Sequence, residues 1–90
     1  MKKRKVRTNA DLLNLAVGGR EAIRLEREIR ALIDDEPINL RRLQEALREG
    51  IRAVKMVRAS GVRSKQILEP MERFESYCKS ILSEIIGREH

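Results

Sequence analysis

The sequence is poor in the residues on which disulfide bonding and much of catalysis depend. Its 90 residues include one cysteine, Cys78, one histidine, His90, and no tryptophan. A single cysteine cannot form an internal disulfide, so nothing indicates an oxidising compartment, and we expect a cytoplasmic protein. One histidine at position 90 leaves no His-based general base, nucleophile pair or metal cluster inside a fold. We therefore expect a protein without enzyme activity, cofactor or metal.

Motifs of common ligand sites are also missing. No glycine-rich loop of the kind that cradles phosphates is present. Glu69, Glu72 and Glu75 recur every three residues, but a di-iron site in a helical bundle needs Glu-x-x-His pairs, which this sequence lacks. No apolar run approaches the roughly 20 residues of a membrane span. These patterns predict neither a membrane segment nor a small-molecule substrate.

The stretch from Ile67 to Ile86 carries the clearest helical pattern. Its apolar residues are alternately four and three positions apart, which places them on one side of an α-helix. They are Ile67, Met71, Phe74, Cys78, Ile81 and Ile85. Cys78 lies in the middle of this apolar stripe, so we interpret it as a packing residue and not as a reactive thiol.

Amphipathic helices are predicted over residues 9–34, 39–59 and either 65–87 or 70–87. The start of the third helix stays open, because Pro70 removes a backbone hydrogen bond and crowds the preceding turn. Short connections predict an all-α fold, an antiparallel three-helix bundle of up-down-up topology. We expect this bundle to be a single helical domain over residues 8–87, and we expect residues 88–90 to fray.

Capping residues mark the predicted helix ends. Thr8 and Asp11 have the spacing of a capping box, in which each side chain accepts from the other's backbone N–H. Asn39 fits the N-cap of the second helix. Gly61 suits the left-handed residue that follows a helix.

Two places in the first helix conflict with helix stability. Gly18 and Gly19 each cost about 1 kcal/mol relative to alanine, so the helix either bends there or breaks. A close approach by another backbone or a ligand is the alternative to a tolerated kink. The acids at 34–36 oppose the helix dipole, and we expect Arg41 and Arg42 to lie beside them.

The net charge of +6 is spread unevenly along the chain. A basic arm over residues 1–7, expected to be disordered, contains Lys2, Lys3, Arg4, Lys5 and Arg7. The predicted second helix carries Arg41, Arg48, Arg52 and Lys55 on the side opposite its apolar residues. Both sets are candidates for contact with nucleic-acid phosphates. The alternatives are a solubilising or targeting role for the arm and a solvated helix face.

Residues 59–67 also allow a helix-turn-helix interpretation, with Val62 and Ile67 at its apolar positions. Two residues oppose it. Pro70 would interrupt the recognition helix, and Val57 stands where a small residue usually lets the two helices approach.

The first and third helices carry more apolar residues than a narrow packing seam needs. The excess residues are Leu12, Leu13 and Val17 on the first helix and Leu68, Leu82 and Ile86 on the third. They either complete the intramolecular core or form a partner surface, for which a symmetric dimer is the commonest solution. We expect a non-catalytic helical adaptor or regulatory protein, a homodimer or a binder of another helical protein. The alternative is a nucleic-acid-binding accessory protein.

Overall fold

The computed structural model describes residues 8–88, which form three α-helices. α1 spans Asn9–Asp34, α2 spans Leu40–Ala59 and α3 spans Lys65–Arg88. The fold is therefore all-α, as predicted. The basic arm and residues 89–90 lie outside the described residues.

The predicted capping residues begin and end the helices as expected. The Thr8 hydroxyl accepts from the backbone N–H of Asp11 at 3.0 Å, and the Asp11 carboxylate accepts from the N–H of Thr8 at 3.4 Å. Asn39 Oδ1 accepts from the N–H of Arg42 at 3.1 Å. Gly61, just after α2, has a φ of 82°, a value that glycine adopts without steric cost. These local signals set the starts of α1 and α2 and the end of α2.

α1 passes through both glycines without a break. A Cβ atom at Gly18 would lie 2.8 Å from the carbonyl oxygen of Ala53 and 2.9 Å from Cβ of Met56. Gly18 therefore allows the backbones of α1 and α2 to approach closely. A Cβ atom at Gly19 would meet nothing within 4 Å among residues 8–88, so packing within this part of the chain does not explain that glycine.

The core is centred on α2, which packs against both other helices. Its buried apolar residues are Leu43, Ala46, Leu47, Ala53, Val54 and Val57. At Gly50 a Cβ atom would lie 2.9 Å from Cζ of Phe74 and 3.0 Å from Sγ of Cys78, so α2 and α3 also approach closely. Cys78 is fully buried, and burial raises its pKa to about 11, which keeps the thiol protonated and unreactive.

α3 begins at Lys65 and continues through Pro70. It runs antiparallel along α2, because Arg58 near the end of α2 contacts Glu75, while Leu43 near its start lies beside Ile81 and Ile85. Two helices side by side over this length differ from the steep crossing of a helix-turn-helix, roughly 90–120°. The helix-turn-helix interpretation is wrong for this chain.

The expected relief of the acids at 34–36 by Arg41 and Arg42 is also wrong, because within residues 8–88 neither arginine forms an ion pair with them. Arg42 Nε donates to Oε2 of Glu28 at 2.7 Å, and its Nη1 atom donates to Glu45 at 3.4 Å. Glu28 lies on the flank of α1 next to α2, within reach of Arg42. Asp35 already has an extended backbone, with ψ of 152°, and begins the loop.

α1 and α3 both pack on α2 but have little contact with each other. The described part of the chain is elongated, with extents of 50 × 22 × 20 Å. The two outer helices thus leave an open groove between them, whose floor is the buried side of α2.

Candidate functional site

The groove between α1 and α3 is lined mainly by apolar side chains at both of its ends. At one end, here called the Ile67 end, a cleft of about 410 Å³ is lined by Leu15, Ile23, Val57, Ile67, Met71 and Phe74. At the other, the Ile81 end, a cleft of about 420 Å³ is lined by Ile33, Ile38, Leu40, Leu43, Ile81 and Ile85. Val57 and Leu43 belong to the buried side of α2 and form the floor.

Several groove residues are far more exposed than apolar side chains of their size usually are. Ile23 is 56% exposed, Leu40 49% and Ile38 44%. Burying such side chains stabilises an assembly by about 25 cal/mol for each Å² of apolar surface removed from water. Exposed apolar clusters of this kind are typical of partner-binding sites.

The middle of the groove is polar. A third cleft, of about 290 Å³, is lined by Glu26, Arg30, Arg73 and Tyr77, with Phe74 and Pro70 beside them. Arg30 Nη2 and Glu26 Oε2 form an ion pair at 3.0 Å, and both side chains are substantially exposed. The groove therefore has apolar ends and a middle that carries both signs of charge.

Helical spacing explains why these residues share one side of each helix. On α1 the groove residues follow one another three or four positions apart, next to the residues that α1 buries against α2. Gly19 belongs to this groove side, since it lines the Ile67 end. Because its missing Cβ leaves open space, another helix has room to approach α1 there.

The apolar residues predicted to bind a partner do not converge on one surface. Leu12 and Leu13 are exposed, Ile86 is exposed, and the other three are half-buried: Val17, Leu68 and Leu82. Leu82 packs against the core. By helical spacing Leu12 falls on the groove side of α1, whereas Leu13 points away from α2.

The predicted residues of α3 share a flank with Glu75. Leu68 and Leu82 are each seven positions from Glu75, and Ile86 is four positions beyond Leu82, so all lie on the side away from the groove. The sequence prediction thus missed the groove residues Ile23, Ile38 and Leu40. Their apolar character, on a flank of α1 and around the start of α2, was the available signal.

The basic residues of α2 do share one face. Arg41, Arg48, Arg52 and Lys55, here called the basic face, are all exposed. Within residues 8–88 none of these four forms an ion pair. They lie opposite the buried side of α2, so the basic face and the groove are on opposite sides of the molecule. The basic arm lies outside the described residues.

Arg42 and Arg58, by contrast, lie on the flanks of α2 and are paired. Arg58 donates two hydrogen bonds to Glu75, from Nη2 at 2.6 Å and from Nη1 at 3.1 Å. Hydrogen bonding by Arg58 lowers the pKa of the Glu75 carboxyl although burial opposes that shift. This pair joins α2 to α3 and is structural.

Residues 8–88 contain no cluster of three or more His, Cys, Asp or Glu residues arranged to hold a metal ion. None of the three described helices has the length and apolar character needed to cross a membrane. Comparison with protein-family models, curated proteins and solved structures gave no match.

Proposed function

We propose that this protein is a non-catalytic helical adaptor or regulatory protein that self-associates through the groove between α1 and α3. The observation that carries this proposal is the exposed apolar lining at both ends of the groove, including Ile23, Ile38 and Leu40. A second copy of the chain is the occupant that the groove fits best, because its residues are arranged symmetrically about its middle.

On α1, Ile23 and Ile33 lie five positions either side of Glu28, and on α3, Ile67 and Ile81 lie seven positions either side of Phe74. A two-fold axis that crosses the groove at the level of Glu28 and Phe74 pairs the Ile67 end of one copy with the Ile81 end of the other. Both apolar ends are then covered at once.

The polar middle is self-complementary about the same axis. Glu26 and Arg30 lie two positions either side of Glu28, so Glu26 of one copy faces Arg30 of the second copy, and the reverse. The ion pair within each chain thereby becomes part of a four-charge network. Complementary charges of this kind fix the register of an interface and disfavour other partners.

Gly19 supports close approach by a second copy, whose loop around Pro37 faces it in this register. A glycine in a helix interior costs about 1 kcal/mol relative to alanine, and no contact among the described residues requires it at position 19. A second copy that approaches the backbone of α1 at the groove accounts for this glycine.

The test compares two double variants with similar chemistry. Ile23→Ser with Ile67→Ser changes groove residues that are 56% and 37% exposed, while Leu13→Ser with Ile86→Ser changes residues away from the groove that are 63% and 40% exposed. We expect the groove variant to raise the dimer dissociation constant at least tenfold, equivalent to about 1.4 kcal/mol. Equal weakening by the control variant would contradict the proposal.

Nucleic-acid binding is the second candidate function, and the basic face supports it. Four exposed cations without ion pairs in residues 8–88 form a surface to which phosphates are attracted. If the chain stays monomeric in solution, another helical protein replaces the second copy as the occupant of the groove. The cytoplasmic location remains a prediction from the single cysteine.

A further inference from the structure

Within residues 8–88 the acids of α2 form no ion pair with its basic face. Glu45 and Glu49 are the two acids of this helix, and both lie towards the α1 flank. Glu45 pairs with Arg42 at 3.4 Å, and the charge of Glu49 contributes to raising the pKa of both Arg24 and Arg42. The basic face therefore keeps an excess of positive charge, although Glu21 and Glu49 line a shallow cleft beside Arg52.

The shape of the basic face fits the backbone of a nucleic-acid duplex. Arg41 and Lys55 are fourteen positions apart, which is about 21 Å along a helix. α2 stands out as a ridge on this side, because α1 and α3 pack on its opposite side. Phe74 is buried and Tyr77 lines the groove, so no aromatic side chain is available on this face for the base stacking that single strands require.

We propose that the dimer bridges two nucleic-acid duplexes, each bound through its phosphates to one basic face. This inference rests on the proposed self-association through the groove. Face-to-face pairing points the two basic faces in opposite directions, because each is on the side of its chain opposite the groove. Since the described part of each chain is 20–22 Å across its two short directions, the faces are roughly 40 Å apart, far enough for two separate duplexes of phosphate-bearing DNA or RNA.

Bridging is measured by capture of a fluorescent 30-base-pair duplex on beads that carry an unlabelled duplex, with DNA and RNA versions run separately. Binding to one duplex is measured in parallel by fluorescence anisotropy, and the mass of the free protein by light scattering. The variants are Arg48→Gln with Arg52→Gln on the basic face, Ile23→Ser with Ile67→Ser in the groove, and Arg20→Gln with Arg27→Gln on the outer side of α1. The last variant loses the same charge and is the control for the first.

We expect the wild-type protein to capture the second duplex, with DNA, RNA or both. The basic-face variant should stay dimeric and lose capture of the second duplex. For its binding to one duplex, the slope of log K against log salt should be smaller in magnitude by about two. The groove variant should bind one duplex without bridging, and the α1 control should behave like wild type.

The inference is overturned if the wild-type dimer binds a duplex without capturing a second, or if it binds no duplex at 50 mM salt. Equal losses in the basic-face variant and the α1 control would also overturn it, as would binding to phosphatidylserine vesicles without duplex capture. A monomeric wild-type protein contradicts the self-association itself, and the light-scattering mass shows this independently of duplex binding.

Discussion

Arg58 and Glu75 join α2 to α3 through two parallel hydrogen bonds, of 2.6 Å and 3.1 Å. Glu75 is only 7% exposed and lies among the apolar residues that α3 packs against α2. Its charge is balanced by the guanidinium of Arg58 and, at 3.6 Å, by the ammonium of Lys79. A carboxylate held in this way stabilises the fold only while it is ionised.

Glu75→Gln should therefore destabilise the protein by about 2 kcal/mol near neutral pH, because a charge-assisted hydrogen-bond pair becomes a neutral one. The pKa of Glu75 is lowered from 4.5 in the folded chain, so its contribution is fully present above that value. It is lost as the pH falls through the lowered pKa. Urea unfolding of both proteins from pH 7 to pH 3 should show the difference shrinking below about 4.5.

Glu69→Gln is the matched control, because Glu69 is an exposed acid of α3 that forms no ion pair within residues 8–88. We expect it to change the free energy of unfolding by less than about 0.5 kcal/mol. A difference between wild type and Glu75→Gln that stays constant down to pH 3 would contradict the role assigned to Arg58.

Two adjacent glycines should respond in opposite directions to the same substitution. Gly18→Ala should destabilise the chain by about 1–3 kcal/mol, since the new Cβ would meet the Ala53 carbonyl oxygen at 2.8 Å and force α1 away from α2. Gly19→Ala should instead stabilise the monomer by about 0.5–1 kcal/mol through helix propensity. Thermal unfolding at a concentration where both variants are monomeric checks this, and destabilisation by both would refute the close contact at Gly18.

The polar middle of the groove predicts a charge-swap result. Glu26→Arg or Arg30→Glu alone brings like charges together across the proposed two-fold axis and should weaken the dimer at least tenfold, or about 1.4 kcal/mol. Mixing the two single variants should restore association as a heterodimer, because each charge again faces its opposite. Sedimentation velocity of each variant and of the mixture measures this. No recovery in the mixture would rule out the proposed register.

Local patterns predicted the helices well because each signal lies within a few residues. The capping box at Thr8 and Asp11, the N-cap at Asn39 and the stop at Gly61 are all of this kind, and the structure confirms each of them. Local patterns do not determine the continuity of α1 or the start of α3, since the tolerance for Gly18 and Pro70 depends on packing.

The groove was not predictable in the same way, because it depends on which flank of each helix faces outward. The sequence does not distinguish Gly18, which contacts α2, from Gly19, which does not. Likewise, Arg42 pairs with Glu28, fourteen positions away, and Leu82 packs on the core while Ile23 stays exposed. Such relationships are set by the docking of whole helices, and only the basic face, fixed by spacing along a single helix, could be predicted as a unit.

Self-association through the groove is the central claim, and the mass of the unmodified chain in solution tests it most directly. Multi-angle light scattering across protein concentrations from low to high micromolar should give a mass approaching twice the 10.4 kDa of one chain. Dilution should return the mass towards the monomer, as for a reversible dimer. A mass of 10.4 kDa at every concentration would contradict the account.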